Sequence, residues 1–272
     1  MGDIHRTAIV EDGARLGKNV RIGAYATIGR EVVLGDDVMI DSHVVVGGRT
    51  EIGDRTQVMP FAVIGGSPQD IGYRDEPTSV KIGPDCILRE HSTVNRGTAR
   101  GRGVTTIGAH CYLMIGAHVA HDCVVADHVL LVNNATLGGH VVVGEWATLG
   151  GLSAVQQRCR VGAHAFIGGV TPVTTDVIPF ASAVGNRATL GGLNIIGLKR
   201  RGYDRKTIHA LRAAYKAIFW GGGTRASRVE KVAVDYQDVP AVMMIVDFIR
   251  DGGERPLCRP RSKRAFDANG DS

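Results

Sequence analysis

The chain has 272 residues, of which 22% are charged, and a formal net charge of +5. That length allows one large domain with an appendage or two domains, and so mild a charge gives no ground for a nucleic-acid partner. Five scattered cysteines without a CxxC pair argue against a disulfide framework and a zinc ribbon, and no apolar run approaches the roughly 20 residues that span a bilayer.

Aliphatic residues recur every sixth position from the start: Ile4, Val10, Leu16, Ile22, Ile28, Leu34, Ile40, Val46, Ile52, Val58 and Ile64. Glycine follows many of them, as at Gly17, Gly23 and Gly29. A period of six fits neither the 3.6 of a helix nor the two of a strand. It is the signature of hexapeptide repeats, in which short strands coil into a parallel β-helix. With aromatics at only 5%, the core is expected to be layers of Ile, Val and Leu, each coil touching only its neighbours. Residues 66–79 (GSPQDIGYRDEPTS) break the pattern and read as an excursion loop. Ile64 to Ile82 is 18 residues, so this loop is expected to replace roughly one coil turn. The register returns at Ile82, Leu88 and Val94, and residues 98–104 (TARGRGV) form a second excursion. From Ile107 to Val173 the repeat runs without a slip.

Beyond residue 188 the period becomes helical. Leu193–Arg201 reads as a short helix. Asp204 is the expected N-cap of a helix to Trp220, stopped by Gly221-Gly222-Gly223. Ser227–Tyr236 makes a third helix, and Asp238 with Pro240 opens a fourth through Arg250. The predicted organisation is a hexapeptide-repeat domain over 1–188, an α-helical domain over 189–251 and a mobile tail over 252–272. Basic residues gather in the last third, at Lys199-Arg200-Arg201, Arg205-Lys206 and between Arg259 and Arg264, either as a solvated surface or as a docking face for an acidic partner.

Stepping by one coil of 18 residues carries His121 to Gly139 and Asp122 to His140. Two histidines, a carboxylate and a bare backbone N–H therefore converge on one patch. Histidine serves as a general base near neutral pH, and glycine lets a carbonyl approach a backbone donor as an oxyanion site needs. His118 and His121, three apart, straddle a β-helix corner, which disfavours a shared metal ion, and none is expected. Neither a GxSxG elbow, a P-loop nor a dinucleotide fingerprint is present.

Several segments resemble the UDP-N-acetylglucosamine acyltransferase family: Ser42–Val46, Ile115–Cys123 (IGAHVAHDC), Asn133–His140 (NNATLGGH), Gly162–His164, Gly168-Gly169, Gly185-Asn186 and Asn194–Gly202 (NIIGLKRRG). The resemblance implies a mainly β fold, a left-handed parallel β-helix with a small C-terminal α-helical domain. It also implies a cytoplasmic homotrimer with active sites between prisms, and no cofactor. His121 would be the base on the sugar 3-hydroxyl, and Gly139 N–H would hold the oxyanion. Acyl carrier protein would deliver the 3-hydroxyacyl thioester to the basic helical domain. Asp70, Asp122, His140 and Gln157 would contact the sugar, His118 would sit beside the pocket, and Asn194, Arg200 and Arg201 would lie at the nucleotide. Gly169 would set acyl length and admit a longer chain, with Phe166 narrowing the same groove. The chain departs from the family pattern at Gly72, Gln156 and Ile196. An N-acyltransferase acting on a UDP-3-amino sugar or other small amine is therefore the alternative.

Overall fold

The computed structural model describes residues 3–261. Short strands, most of two residues, rise through the prism in rotation over three faces as far as Pro172–Val173. Asp3–Ile4 begins the first sheet, Ile9–Val10 the second and Arg15–Leu16 the third. Among the described residues the sheets hold eleven, nine and eight strands. As far as Ala181–Val184, each strand pairs in parallel with the one a full coil away, as Val119 does with Val94 and Leu137. The inward residue of each strand is the hexad aliphatic; Leu113, Val119, Leu131, Leu137 and Leu149 are fully buried. Residues two positions earlier, such as Cys123, Ala135 and Ala147, also face the core, where only small side chains fit the corner.

At most corners the third residue after the aliphatic takes a left-handed turn conformation. Asp122 has φ 60°, His140 φ 61° and Trp146 φ 60°. Side chains at these corners stack coil upon coil. Tyr25, His43, Phe61 and His91 form one aromatic column with centroids 5.1–5.2 Å apart. His110, His128 and Trp146 form another.

Both excursions leave from the same edge, between the second and third sheets. Ile64 lies in a strand of the second sheet, and Ile82 in the third, paired with Ile52 and Ile107. The 66–79 segment therefore does not replace a coil; it is inserted into a single corner, between strands Val63–Gly66 and Ser79–Ile82. Net length alone could not separate the two cases, because an insertion of two hexads keeps the hexad register. The second excursion is inserted at the same edge one coil higher, between Thr93–Asn95 and Val104–Ile107.

Strand structure continues past residue 188. Thr189–Leu193 pairs antiparallel with Ala181–Val184, so the helical part starts with α1 (Ile195–Arg200), followed by α2 (Arg205–Trp220), α3 (Arg225–Asp235) and α4 (Pro240–Arg250). Asp204 caps α2 through Thr207 N, and Thr224 rather than a later residue caps α3 through Ser227 N. At α4 the cap position falls on Val239, without a side-chain bond, and Asp238 lies outside it. No helix among the described residues is long and apolar enough to cross a membrane. All five cysteines are buried and unpaired.

Residues 252–261, expected as part of a mobile tail, fold back as a strap on the last coils; the remainder of that expectation, 262–272, lies outside the described residues. Asp176 N donates to Pro256 O at 2.9 Å, Cys258 N to Asp176 O at 2.8 Å, and Leu190 N to Arg259 O at 2.9 Å. Burial of Cys258 and a frame of backbone partners hold the strap down, neither of which a Gly-, Pro- and Arg-rich composition discloses. Fully buried Asp176 accepts from Arg160 N and Nε at 2.8 and 2.7 Å, and Arg160 Nη2 reaches Phe248 O of α4 at 3.1 Å. Removing one partner of a buried pair leaves the other charge uncompensated. Asp176→Ala should destabilise the protein by about 3–5 kcal/mol in urea unfolding and speed tryptic cleavage of the strap; a loss below about 1 kcal/mol would mean that the pair does not clamp the two parts.

Candidate functional site

The edge that carries both excursions also carries the histidine patch. Immediately above the second excursion the chain turns at His121-Asp122, one coil on at Gly139-His140, and one coil further at Gln157-Arg158. The backbone spells out this ladder: His140 N donates to His121 O at 3.0 Å, and Arg158 N to Gly139 O at 3.0 Å.

His121 is largely enclosed. Its Nδ1 lies 2.8 Å from Asp122 Oδ2, which directs the other ring nitrogen towards the coil above. There the ring rests on Gly139, where an added Cβ would come within 2.5 Å of both Cε1 and Nε2. A glycine is therefore required for the imidazole to lie flat on the backbone. His140 meets the His121 ring edge-on at 5.1 Å, with its Nε2 3.8 Å from Asp122 Oδ2.

Asp122 is 1% exposed. Burial opposes its charge, but hydrogen bonds from Thr98, His121 and Arg102 N outweigh that and hold its carboxyl below the ordinary carboxylate range. Its oxygens accept from Thr98 N and Oγ1, Arg102 N, Gly103 N and His121 Nδ1. Burial lowers the His118 pKa, with His121 adding to the effect, and His118 Nδ1 lies 2.7 Å from Thr93 Oγ1. Burial likewise lowers His140, against the opposing pull of Asp122. Both rings therefore favour the neutral state.

Among the described residues His121, Asp122 and His140 are the trio able to hold a metal ion, their ligand atoms within 4.8 Å of one another. The carboxylate oxygens are already saturated by donors, which suits a hydrogen-bond relay better than a coordination shell.

The other expected residues divide by edge. Gln157 is exposed directly above Gly139, and Arg255 of the strap donates to its carbonyl at 3.2 Å. Asp70 is exposed in the first excursion and accepts from Gly72 N at 2.7 Å. That excursion is anchored near the patch by Arg96, which donates to Ser67 Oγ and Tyr73 OH. Asn194, Arg200 and Arg201 belong to a different edge, between the third and first sheets. Asn194 caps α1 through Gly197 N and donates to His164 O. Arg201 donates to Trp146 O at 2.8 Å, with its guanidinium 5.3 Å from the indole. A cavity of about 830 Å³ opens here, lined by Trp146, His164, Arg200, Arg201, Tyr203 and Met244. Burial and Arg201 push the His164 pKa down to about 4, so a neutral ring faces this cavity. Gly169 and Phe166 sit near the third edge: Gly169 is exposed beside Gly151, and Phe166 is half-buried between Thr148 and Ser182. One chain thus unites His118, His121, Asp122, Gly139, His140 and Gln157 and leaves the other two groups on separate edges.

Thr98, Arg102 and Gly103 join the patch without a signal in the periodicity, because the inserted corner breaks the 18-residue step that links the other members. Trp146 and His164 could be reached by the same step from His110 and His128.

The chain is similar to known proteins along most of its length. Residues 31–66 and 105–139 match the family described as bacterial transferase hexapeptide (six repeats), and residues 176–258 match domain 2 of UDP N-acetylglucosamine O-acyltransferase. The chain is 51% identical over 200 residues to the acyl-[acyl-carrier-protein]–UDP-N-acetylglucosamine O-acyltransferase of Caulobacter vibrioides, covering 74% of this chain and 76% of that protein. It is 45% identical over 257 residues to the Rhizobium etli protein of the same name, covering 94% of each. The solved structure of UDP-N-acetylglucosamine O-acyltransferase from Moraxella catarrhalis superposes with a TM-score of 0.92 at 36% identity, over 94% of this chain and 99% of that one. The prism is accordingly a left-handed parallel β-helix. That hand runs against the right-handed rule for crossovers.

Gly139→Ala tests the geometry of the patch. Its Cβ would force the His121 ring off the backbone, so turnover should fall roughly 100-fold with the fold intact, the cost of about 1 Å of misplacement. Wild-type turnover in a folded Gly139→Ala protein would show that the ring does not work from this position.

Proposed function

The chain belongs to the UDP-N-acetylglucosamine O-acyltransferase family, and on that footing we propose that it transfers a 3-hydroxyacyl chain from acyl carrier protein to the 3-hydroxyl of UDP-N-acetylglucosamine, the first step of lipid A biosynthesis, with His121 as general base. The observation that carries this reading is the His121 ring, held by Asp122 at Nδ1 and laid on the Gly139 backbone on its other side. In the proposed reaction Nε2 accepts the proton of the sugar hydroxyl as its oxygen attacks the thioester carbonyl. Gly139 N–H donates to the oxyanion. The tetrahedral intermediate then expels the carrier thiolate, which takes the proton back from His121. The C–O bond forms as the C–S bond breaks, Asp122 stabilises the transient imidazolium, and no cofactor is called for.

The sugar lies against His140, Gln157 and Asp70 in this reading, with His118 beside it. Asn194, Arg200 and Arg201 hold the nucleotide from a neighbouring protomer of a homotrimer, which their position on another edge favours. The exposed cations Lys199, Arg200, Arg205 and Lys206 at the start of the helical domain suit an acidic carrier protein. A cytoplasmic location belongs to the same proposal, since both proposed substrates are soluble molecules. The relatives' names favour an oxygen acceptor; the departures at Gly72 and Ile196, the latter 67% exposed on α1, keep a 3-amino acceptor as the comparison substrate.

His121→Ala should remain folded, because the ring lies outside the aliphatic core, and should lose roughly 10²- to 10⁴-fold in turnover on UDP-N-acetylglucosamine; an active variant would refute the base, and greater wild-type activity on the 3-amino sugar would reassign the acceptor. Gly169 leaves the acyl groove open in this reading, so wild type should favour long 3-hydroxyacyl chains, each added CH₂ contributing about 0.8 kcal/mol. Gly169→Met should shift preference to short chains in competition between carrier proteins of different load; an unchanged preference would pass the role to Phe166.

A further inference from the structure

The corner before Asp122 is anomalous. From Val94 in the second sheet to Ile107 in the third takes thirteen residues, where six suffice at the next coil, from Val119 to Val125. The seven extra residues do not drift into solvent. They close on the carboxylate of Asp122. Thr98 N lies 3.1 Å from both oxygens, Thr98 Oγ1 donates to Oδ2 at 2.6 Å, Arg102 N to Oδ1 at 2.8 Å, and Gly103 N lies 3.2 Å from Oδ1. The loop ties itself into this shape, with Gly101 N and Gly103 N both donating to Thr98 O at 3.1 Å. Its glycines have a steric reason: a Cβ on Gly101 would strike the Asp122 carboxylate, and one on Gly97 would strike the Gly103–Val104 backbone. Successive N–H groups converging on one anion form a nest, which compensates charge with fixed dipoles. The charged or titratable partners of the carboxylate are His121 at 2.8 Å and His140 at 3.8 Å.

We propose that the 98–103 loop is an anion nest for Asp122 and that Thr98, through it, is a positioning residue that fixes the orientation and tautomer of His121. This rests on the reading of His121 as the base. The Thr98 hydroxyl and the His121 ring donate to the same oxygen, Oδ2, so they share its charge. Removing the hydroxyl leaves more negative charge facing His121, strengthens its hold on a proton and loosens its place against Gly139. Charge-assisted bonds of this kind are the strong ones, and the loop gives the carboxylate no route to water, since Thr98 is itself 5% exposed.

The test compares Thr98→Val, which keeps the shape, with Thr98→Ser, which keeps the hydroxyl, on acyl carrier protein and UDP-N-acetylglucosamine. Thr98→Val should lower kcat roughly 10- to 100-fold, leave KM for the sugar nucleotide within about twofold, and move the acid limb of the kcat/KM profile to higher pH; Thr98→Ser should restore both. A Thr98→Val enzyme with wild-type kcat and acid limb, or with a raised KM alone, would overturn the proposal. Should Thr98→Val not fold, ¹⁵N spectra of wild-type histidines still decide: His121 protonated at Nδ1 in its neutral form supports the nest, and the opposite tautomer refutes it. His121→Ala run alongside separates the two claims. If it keeps its rate, base and nest fall together; if it is inactive while Thr98→Val is wild-type, the nest alone falls.

Discussion

Everything in this molecule depends on the vertical stacking of residues one coil apart. Backbone hydrogen bonds run from each strand to the strand above and below, and the aliphatic ladder fills the prism with side chains whose volumes hardly change from coil to coil. Because each coil touches only its neighbours, the chain must repeat the same solution at every level. A residue's place is then set by two numbers: its position in the hexad and its coil. Chemistry can be built by stacking side chains at a corner without disturbing the core beneath.

The histidine edge uses that freedom. Asp122 and His140 occupy the left-handed corner position that most other coils also use, held elsewhere by residues as different as Asn134, Trp146, Leu152 and Arg158, so placing them there entails no new backbone geometry. The added device is local. Two insertions at one edge supply what a bare corner lacks: a floor of N–H donors under Asp122 and a wall carrying Asp70. The electrostatic result is a buried anion whose charge is met by dipoles and by two imidazoles, His121 at 2.8 Å and His140 at 3.8 Å, a setting in which the His121 ring can accept a proton and return it.

Fold and site were legible in the sequence to different depths, for physical reasons. The six-residue ladder marks the β-helix because core packing enforces it, and the 18-residue step brings His121 under Gly139 and Asp122 under His140 because stacking enforces that. The step fails wherever length is inserted, which is why the placement of residues 66–79 within one corner, and the contact of Thr98 with Asp122, need the structure. The handedness of the coil leaves no mark in the period. The strap at 252–261 is held by Cys258 burial and by backbone bonds to Asp176 and Leu190, and such bonds are blind to side-chain pattern. For Arg201 on Trp146 the partner lies 55 residues away, beyond any local signal.

A single chain keeps His121 and Arg201 on different edges, so the proposed active site needs a neighbouring protomer to complete it. Subunit mixing tests it. His121→Ala and Arg201→Ala proteins, each inactive alone, would be unfolded and refolded together. In a cyclic trimer every mixed assembly contains one interface that joins an intact His121 to an intact Arg201, so an equal mixture should recover about a quarter of wild-type activity. Recovery of no activity from well-formed mixed trimers would contradict a shared site and place the whole reaction on one chain.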